Sequence, residues 1–262
     1  MLYDYIILTS STNPRIKLVR QLQRDRSVRE HEQLFVVEGV KLINDLIDCG
    51  LQITFVLLST SDVALAWQRA HPNILGLPIS DVLMREVSSE VTPPGVLAIF
   101  KMPSSKNIAA STVTSIAPIL ILDQLRDPGN MGACLRVAAG AGCHEVLFAP
   151  GCVDAYNPKV VRGGMGAHGR LNLRMMAWAE IKQYCVGLNV YGTSVVNSQS
   201  YDTVVWRDPC AVIIGSEAEG MSVQAQKIMT QAIHIPMFNQ VESLNAAVAC
   251  GVIFFEAVRQ RR

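Results

Sequence analysis

The chain has 262 residues, of which half are apolar and 17% are charged, and its formal net charge is +1 at pH 7. A chain of this length predicts one large or two modest domains. Its longest apolar run, residues 246–255, is about half as long as a membrane span, which predicts a protein without a membrane-spanning helix.

The N-terminal segment carries a local basic surface. Residues 12–31 contain six Lys and Arg residues against two acidic ones. The stretch NPRIKLVRQLQR predicts a helix with Asn13 as its N-cap and Pro14 at the first helical position, with the basic side chains largely on the outer face. Two interpretations are open, a solvated helix face or a stripe that binds RNA phosphates. The stripe would consist of Arg15, Lys17, Arg20 and Arg24.

Alternating β-like and helical runs predict an α/β protein with two domains. Residues 1–103 predict a small α/β layer domain, because short apolar strands alternate there with helices. Residues 104–117, rich in Ser, Thr and Ala, predict a linker. In residues 118–262, predicted strands are followed by loops and helices in alternation, which predicts a second domain with a mostly parallel sheet.

Three loops of the second domain are chemically unusual, and each follows a predicted strand. They are DPGNMG at residues 127–132, GSEAEG at 215–220, and the loop within IPMFNQVESLNAAVA at 235–249. Because the carboxyl ends of parallel strands form the ligand crevice, these loops are expected to share one site. GSEAEG matches neither the dinucleotide fingerprint nor the Walker loop.

The helix caps next to these loops are also predicted. Asn130 is expected to cap the helix after the first loop, and Ser243 to cap a helix that begins near residues 242–243. In the helix after the first loop, Gly132, Arg136 and Gly140 share one face. Glycine costs a helix about 1 kcal/mol per site, so this face indicates close approach by another group. That group is either a ligand beside Arg136 or a second helix.

The seven cysteines show no CxxC pair and no metal-ligand spacing with histidine. They predict reduced core thiols in a cytoplasmic protein without a metal site. The stretch MLYDYIILTS has no basic region before its apolar residues, so no secretory signal is expected.

In order and wording, the motifs DPGNMGACLRVAAGAG, IIGSEAEGMS and IPMFNQVESLNAAVA resemble those of the SpoU (TrmH-like) family of RNA ribose 2′-O-methyltransferases. The segment NPKVVRGGMGAHGRL is similar to a family segment between the first two motifs. In the first half, STNPRIKLVRQL, FVVEGVKLI and TPPGVLAIF resemble the substrate-binding domain of members that act on ribosomal RNA. Asn239 stands where the family usually has glycine, and GGMGAHG is richer in glycine than usual.

The resemblance implies an L30e-like RNA-binding domain, a C-terminal domain with a trefoil knot, a homodimer, and S-adenosylmethionine as the methyl donor. The catalytic residues it implies are Asn130, Arg136, Glu217, Ser243 and Asn245. The cofactor-binding residues it implies are Thr193, Ser194, Gly215, Ile235, Met237 and Leu244. Arg162 is expected to bind RNA together with the basic stripe, and no metal is required.

The predicted activity is 2′-O-methylation of a ribose in RNA, with large-subunit ribosomal RNA of the 23S type as the expected substrate. The alternatives are a transfer-RNA ribose methyltransferase and a non-catalytic RNA-binding assembly factor. Because guanidinium groups are permanently charged, Arg136 is expected to act as a cation that stabilises the forming alkoxide and grips a phosphate.

Overall fold

The structure, a computed structural model, describes residues 7–103, 117–216 and 219–262. These residues form two compact units. The first contains residues 7–103 and Tyr156–Arg162, and the second contains residues 117–155, 163–216 and 219–262. The predicted linker, residues 104–117, lies outside the described residues except for Ala117, and the predicted domain boundaries stay a prediction.

The first unit is built on a four-stranded sheet in the order β1-β4-β2-β3, in which β4 is antiparallel to both of its neighbours. Its strands are β1 (Leu34–Glu38), β2 (Ile53–Leu58), β3 (Gly76–Pro78) and β4 (Val96–Lys101). Its helices are α1 (Pro14–Arg24), α2 (Arg26–Glu32), α3 (Val40–Asp48), α4 (Asp62–Ala70) and α5 (Asp81–Val87).

Both faces of this sheet are buried, which explains why its strands read as continuous apolar runs. Successive residues of β4 belong to different cores: Leu97 packs with residues of α1 and α5, and Ala98 packs with residues of α3 and α4. The prediction for α1 is confirmed, since Asn13 Oδ1 accepts a hydrogen bond from the Arg15 N–H at 2.9 Å and Pro14 opens the helix. Ile16, Val19 and Leu22 of α1 are fully buried, as the helical spacing indicated.

The second unit is built on a seven-stranded sheet in the order β7-β6-β5-β10-β8-β11-β9. Its strands are β5 (Ile119–Leu122), β6 (Glu145–Phe148), β7 (Asn172–Met175), β8 (Asn189–Thr193), β9 (Ser198–Ser200), β10 (Cys210–Ile214) and β11 (Gln231–His234). Every pairing is parallel, which confirms the predicted sheet type.

Helices α8 and α9 pack on one face of this sheet, while α6 and α10 pack against each other. The helices of the second half are α6 (Pro128–Gly140), α7 (Pro158–Gly164), α8 (Trp178–Tyr184), α9 (Val223–Ile228) and α10 (Ala246–Arg261). Most of α7 groups with the first unit, although it lies between two strands of the second in the sequence.

Candidate active site

The first loop ends at α6, whose N-cap is Asp127. The Asp127 carboxylate accepts a hydrogen bond from the Asn130 N–H at 2.7 Å, and Pro128 is the first helical residue. The prediction that Asn130 caps this helix is therefore wrong. Asp127, one residue before a proline, takes the N-cap position, so the Asn130 side chain is used elsewhere.

The third loop ends at α10, whose N-cap is Asn245. Its Oδ1 accepts from the Ala247 N–H at 3.0 Å and the Val248 N–H at 3.4 Å, and the helix begins at Ala246. The prediction of a helix starting near residues 242–243 with Ser243 as its cap is therefore wrong. The loop is longer than expected, because Asn245 provides the cap itself.

Asn245 also joins the first loop to the third. While its Oδ1 caps α10, its Nδ2 donates a hydrogen bond to Asn130 Oδ1 at 2.8 Å. Two predicted catalytic residues, 115 positions apart in the sequence, are thus in direct contact.

The second loop closes on itself through a pair of backbone hydrogen bonds. The Ser216 N–H donates to Gly220 O, and the Gly220 N–H donates to Ser216 O, both at 2.9 Å. A Cβ atom on Gly215 would lie 2.5 Å from the Gly220 backbone, so this tight loop requires glycine there. Glu217, predicted to be catalytic, lies outside the described residues. Glu219 is exposed, and its Oε1 lies 3.8 Å from Nη1 of Arg126, the residue just before the first loop.

A buried carboxylate holds the ends of the second loop together. The Asp123 N–H donates to Ile214 O at 3.0 Å, and Asp123 Oδ2 accepts from the Ser222 N–H at 2.6 Å. The side chain is fully buried, and this burial raises the pKa of Asp123. Asp123 was not predicted from the sequence, in which its only signal is an aspartate at the end of an apolar strand.

A cavity of about 370 Å³ opens between the second loop, the third loop and the segment that follows β8. It is lined by all six residues predicted to bind the cofactor, and by Ser243. The six are Thr193, Ser194, Gly215, Ile235, Met237 and Leu244. Its volume falls in the range of small-molecule sites, and its lining combines apolar side chains with a few hydroxyl groups and backbone donors, as such sites usually do.

Several lining residues were not predicted from the sequence. Val195 and Glu219 come from loops at the carboxyl ends of strands, and Ala249 and Ile253 come from α10. The signal for the α10 residues was present, because a helix that is apolar almost all round must bury more than one face.

Arg136 does not line this cavity. It is exposed on α6, and no described residue forms a hydrogen bond or an ion pair with it. A Cβ atom on Gly163 would lie 3.3 Å from Gly132 Cα, so at Gly132 the close approach is made by protein backbone. The interpretation that Gly132 makes room for a ligand is wrong, because the small residue serves packing. Gly140 is exposed, and a Cβ atom there would be 4.0 Å from Phe255.

The glycine-rich segment after α7 contains a buried histidine. His168 is 1% exposed, and its Nε2 donates a hydrogen bond to Ala155 O at 2.8 Å. Burial disfavours the charged ring and lowers the pKa of His168. This histidine therefore has a structural role inside the second unit.

The predicted RNA-binding residues differ in how accessible they are. Arg15, Lys17 and Arg24 are exposed on α1. Arg20 forms an ion pair with Glu86. Arg162 forms an ion pair with Glu90. Three residues of the stripe therefore present charge to solvent, whereas the fourth, Arg20, and also Arg162 share their charge with a carboxylate.

Among residues 7–103, 117–216 and 219–262, no group of His, Cys, Asp and Glu residues is arranged to hold a metal ion. Within the same ranges, no helix is both long enough and apolar enough to cross a membrane. All seven cysteines are free thiols, and all but Cys49 are buried, as predicted for core thiols.

Two family models match the chain. Residues 117–255 match the SpoU rRNA Methylase family, and residues 13–98 match the MRM3-like substrate binding domain. Among curated proteins, human "rRNA methyltransferase 3, mitochondrial" is 29% identical, and the match covers 95% of this chain and 73% of that protein. The Bacillus subtilis protein "23S rRNA (guanosine(2553)-2'-O)-methyltransferase RlmP" is 26% identical, over 95% of this chain and 97% of that protein.

Among solved structures, the SpoU methyltransferase AviRb from Streptomyces viridochromogenes, in complex with AdoMet, superposes with a TM-score of 0.85. It is 25% identical, and the match covers 95% of this chain and 98% of that one. A structure described as giving insight into the 2-OH methylation of C/U34 on tRNA has a TM-score of 0.50 and 29% identity. That match covers 54% of this chain and 94% of the other, so much of the present chain has no counterpart there.

Proposed function

Because the chain belongs to the SpoU rRNA methylase family, we propose that it transfers a methyl group from S-adenosylmethionine to a ribose 2′-hydroxyl of large-subunit ribosomal RNA. The observation that carries this proposal is the cavity between the second and third loops, which all six predicted cofactor-binding residues line. The match of residues 13–98 to a substrate-binding domain of rRNA methyltransferase type supports ribosomal RNA as the substrate. The structure that concerns tRNA methylation matches little more than half of this chain, which also supports ribosomal RNA over tRNA as the substrate.

The residues of the cavity fit S-adenosylmethionine. Gly215 lines the cavity with backbone atoms, while Ile235, Met237 and Leu244 provide apolar surface for an adenosine. The hydroxyl groups of Thr193 and Ser194 add polar contacts. When bound, this cofactor supplies a methyl group on a positively charged sulfur, open to displacement by an oxygen nucleophile.

The protein's own contribution is to position the ribose and stabilise the charge that develops on its oxygen. We assign the stabilising cation to Arg136, whose exposed guanidinium has no protein partner among the described residues and can bind an alkoxide or a phosphate. The hydrogen bond between Asn130 and Asn245 holds the first and third loops at a fixed separation. Ser243 lines the cavity. We assign Glu217, which the family resemblance implies to be catalytic, to holding Arg136 and the ribose.

We further infer a homodimer. Val248 and Phe255, seven positions apart on one face of α10, are both half exposed, and a second copy of the chain would cover them. Sedimentation of the wild-type chain and of Phe255→Glu tests the dimer, which should dissociate in the variant.

We also infer a cytoplasmic location, because the cysteines are free thiols.

The activity is tested by transfer of labelled methyl from S-adenosylmethionine to unmodified ribosomal RNA and, separately, to unmodified tRNA. We expect label in ribosomal RNA at one alkali-resistant linkage. Arg136→Ala should reduce the rate by about 100- to 1,000-fold, the loss typical of removing one group that stabilises an oxyanion. Arg136→Lys keeps the charge without the bidentate geometry, and its near-full activity would contradict the phosphate grip.

The other outcomes separate the alternatives. Label in tRNA alone would indicate that the protein is a tRNA ribose methyltransferase. RNA binding without label, to both free RNA and ribosomal particles, would indicate a non-catalytic assembly factor.

A further inference from the structure

We propose that Phe238 stacks on a nucleobase of the RNA substrate and thereby positions the target ribose at the mouth of the cavity. The inference rests on the proposed methyltransferase function. It adds a substrate-binding residue that the motif comparison does not supply.

Phe238 is the most exposed phenylalanine of the chain. Its side chain is 78% exposed, whereas five of the other six phenylalanines are at most 4% exposed and Phe255 is 50% exposed. A solvated aromatic ring next to a ligand cavity offers a flat apolar face to a planar group.

The backbone around Phe238 forms a tight turn that presents this ring. The Val241 N–H donates a hydrogen bond to Phe238 O at 3.2 Å, and the two central residues, Asn239 and Gln240, have φ angles of 55° and 58°. These positive angles define a type I′ turn, which favours asparagine and glycine. Glutamine rarely adopts this conformation, and strained backbone of this kind is concentrated at functional sites.

The turn belongs to the loop that lines the cavity. Met237 before it and Glu242, Ser243 and Leu244 after it are all lining residues. A ribose whose 2′-hydroxyl enters this cavity brings its own base, or the next base along the strand, to the mouth. Phe238 is therefore placed to meet a base rather than a phosphate.

The charge around the cavity also fits an RNA strand. Arg126 is exposed and lies within 3.8 Å of Glu219, which lines the cavity, so a cation stands at the cavity edge. Aromatic rings that stack on bases, beside cations that hold the backbone, are the usual means of binding single-stranded nucleic acid.

The test compares Phe238→Ala, Phe238→Leu and Phe238→Trp with the wild-type chain, using an unmodified large-subunit ribosomal RNA transcript. We expect Phe238→Ala to raise the KM for RNA by about 5- to 150-fold, the range for loss of one stacked base. The KM for S-adenosylmethionine should stay unchanged. Phe238→Trp should behave like the wild type, and Phe238→Leu, which is apolar but not planar, should be as weak as Phe238→Ala.

Four results would overturn the proposal. They are an unchanged KM for RNA in Phe238→Ala, full activity in Phe238→Leu, an equal rise in the KM for S-adenosylmethionine, and a change in sedimentation that places Phe238 between two copies of the chain. Since an exposed side chain contributes little to folding, these variants are expected to fold.

A fluorescence measurement separates this proposal from the proposed function. In Phe238→Trp, stacking should quench the new tryptophan when the RNA transcript is added, beyond any change in the wild type with its Trp67, Trp178 and Trp206. If the wild type transfers no methyl group but this quenching occurs, the activity fails and the stacking stands. If the wild type is active and no quenching occurs, the stacking fails and the activity stands.

Discussion

Asn245 lies between the cavity-lining residues Leu244 and Ala246, and its side chain performs two roles that substitutions can separate. Its Oδ1 caps α10, and its Nδ2 donates to Asn130 Oδ1 at 2.8 Å. Asn245→Ala removes both interactions. Asn245→Ser removes only the bridge to Asn130, because a serine hydroxyl caps a helix as well as asparagine does but is shorter.

The difference in stability between these two variants isolates the cap. Loss of an N-cap costs about 1 kcal/mol, within a range of about 0.5–2 kcal/mol. For a protein of this size, 1 kcal/mol corresponds to about 2–4 °C in melting temperature. Asn245→Ala should therefore melt about 2–4 °C below Asn245→Ser, as measured by circular dichroism.

Methyl transfer to RNA reports on the bridge. Both variants should lose activity to a similar extent, and Asn130→Ala, which leaves the α10 cap in place, should match them. Combining Asn130→Ala with Asn245→Ser should cost little more than either change alone, since the two residues share one interaction. Wild-type activity in Asn245→Ser would refute the role of the bridge, and equal melting of the serine and alanine variants would refute the role of the cap.

Three further predictions concern the loop, the buried histidine and the basic stripe. Gly215→Ala places a Cβ atom 2.5 Å from the Gly220 backbone and should abolish S-adenosylmethionine binding in calorimetry, whereas Gly140→Ala, with its nearest contact at 4.0 Å, should bind normally. The pKa of His168 is lowered in the folded state, so below about pH 6.5 only the unfolded chain takes up its proton, and stability falls by up to about 1.4 kcal/mol per pH unit. Urea unfolding at pH 7.5 and pH 5.5, on either side of the ordinary histidine pKa of about 6.5, measures this loss of stability. The loss should be smaller in His168→Gln than in the wild type, and unchanged in the exposed control His31→Gln. An equal dependence of stability on pH in the wild type and His168→Gln would contradict the prediction. Lys17→Gln should weaken RNA binding uniformly across sequences and lower the salt slope by about one, and an unchanged slope would remove Lys17 from the RNA-binding surface.

Much of the fold and of the family assignment could be predicted from local sequence. The α/β class, the parallel sheet and the start of α1 are confirmed, because apolar periodicity and turn residues act over short distances. The assignment to the SpoU family is confirmed as well, since its motifs are short and contiguous. The trefoil knot, implied by the resemblance alone, stays a prediction.

Local sequence was a poorer guide to which of several polar residues performs a given role. Asp127 and Asn130 are both good N-caps, and so are Ser243 and Asn245, so composition alone could not choose between them. In each case the structure uses one residue as the cap, and the choice follows from where the chain enters the helix.

The sequence by itself determined the α/β class, the mostly parallel sheet and helix α1, because each depends on neighbours within a few positions. Its family motifs pointed to six of the residues that line the cavity. Only the tertiary structure decided that Asn130 meets Asn245, that Asp123 closes the second loop, and that Gly132 packs against Gly163 instead of leaving room for a ligand. These contacts join residues about 30 to 115 positions apart, and they exist only because parallel strands bring the ends of distant loops to one edge of the sheet.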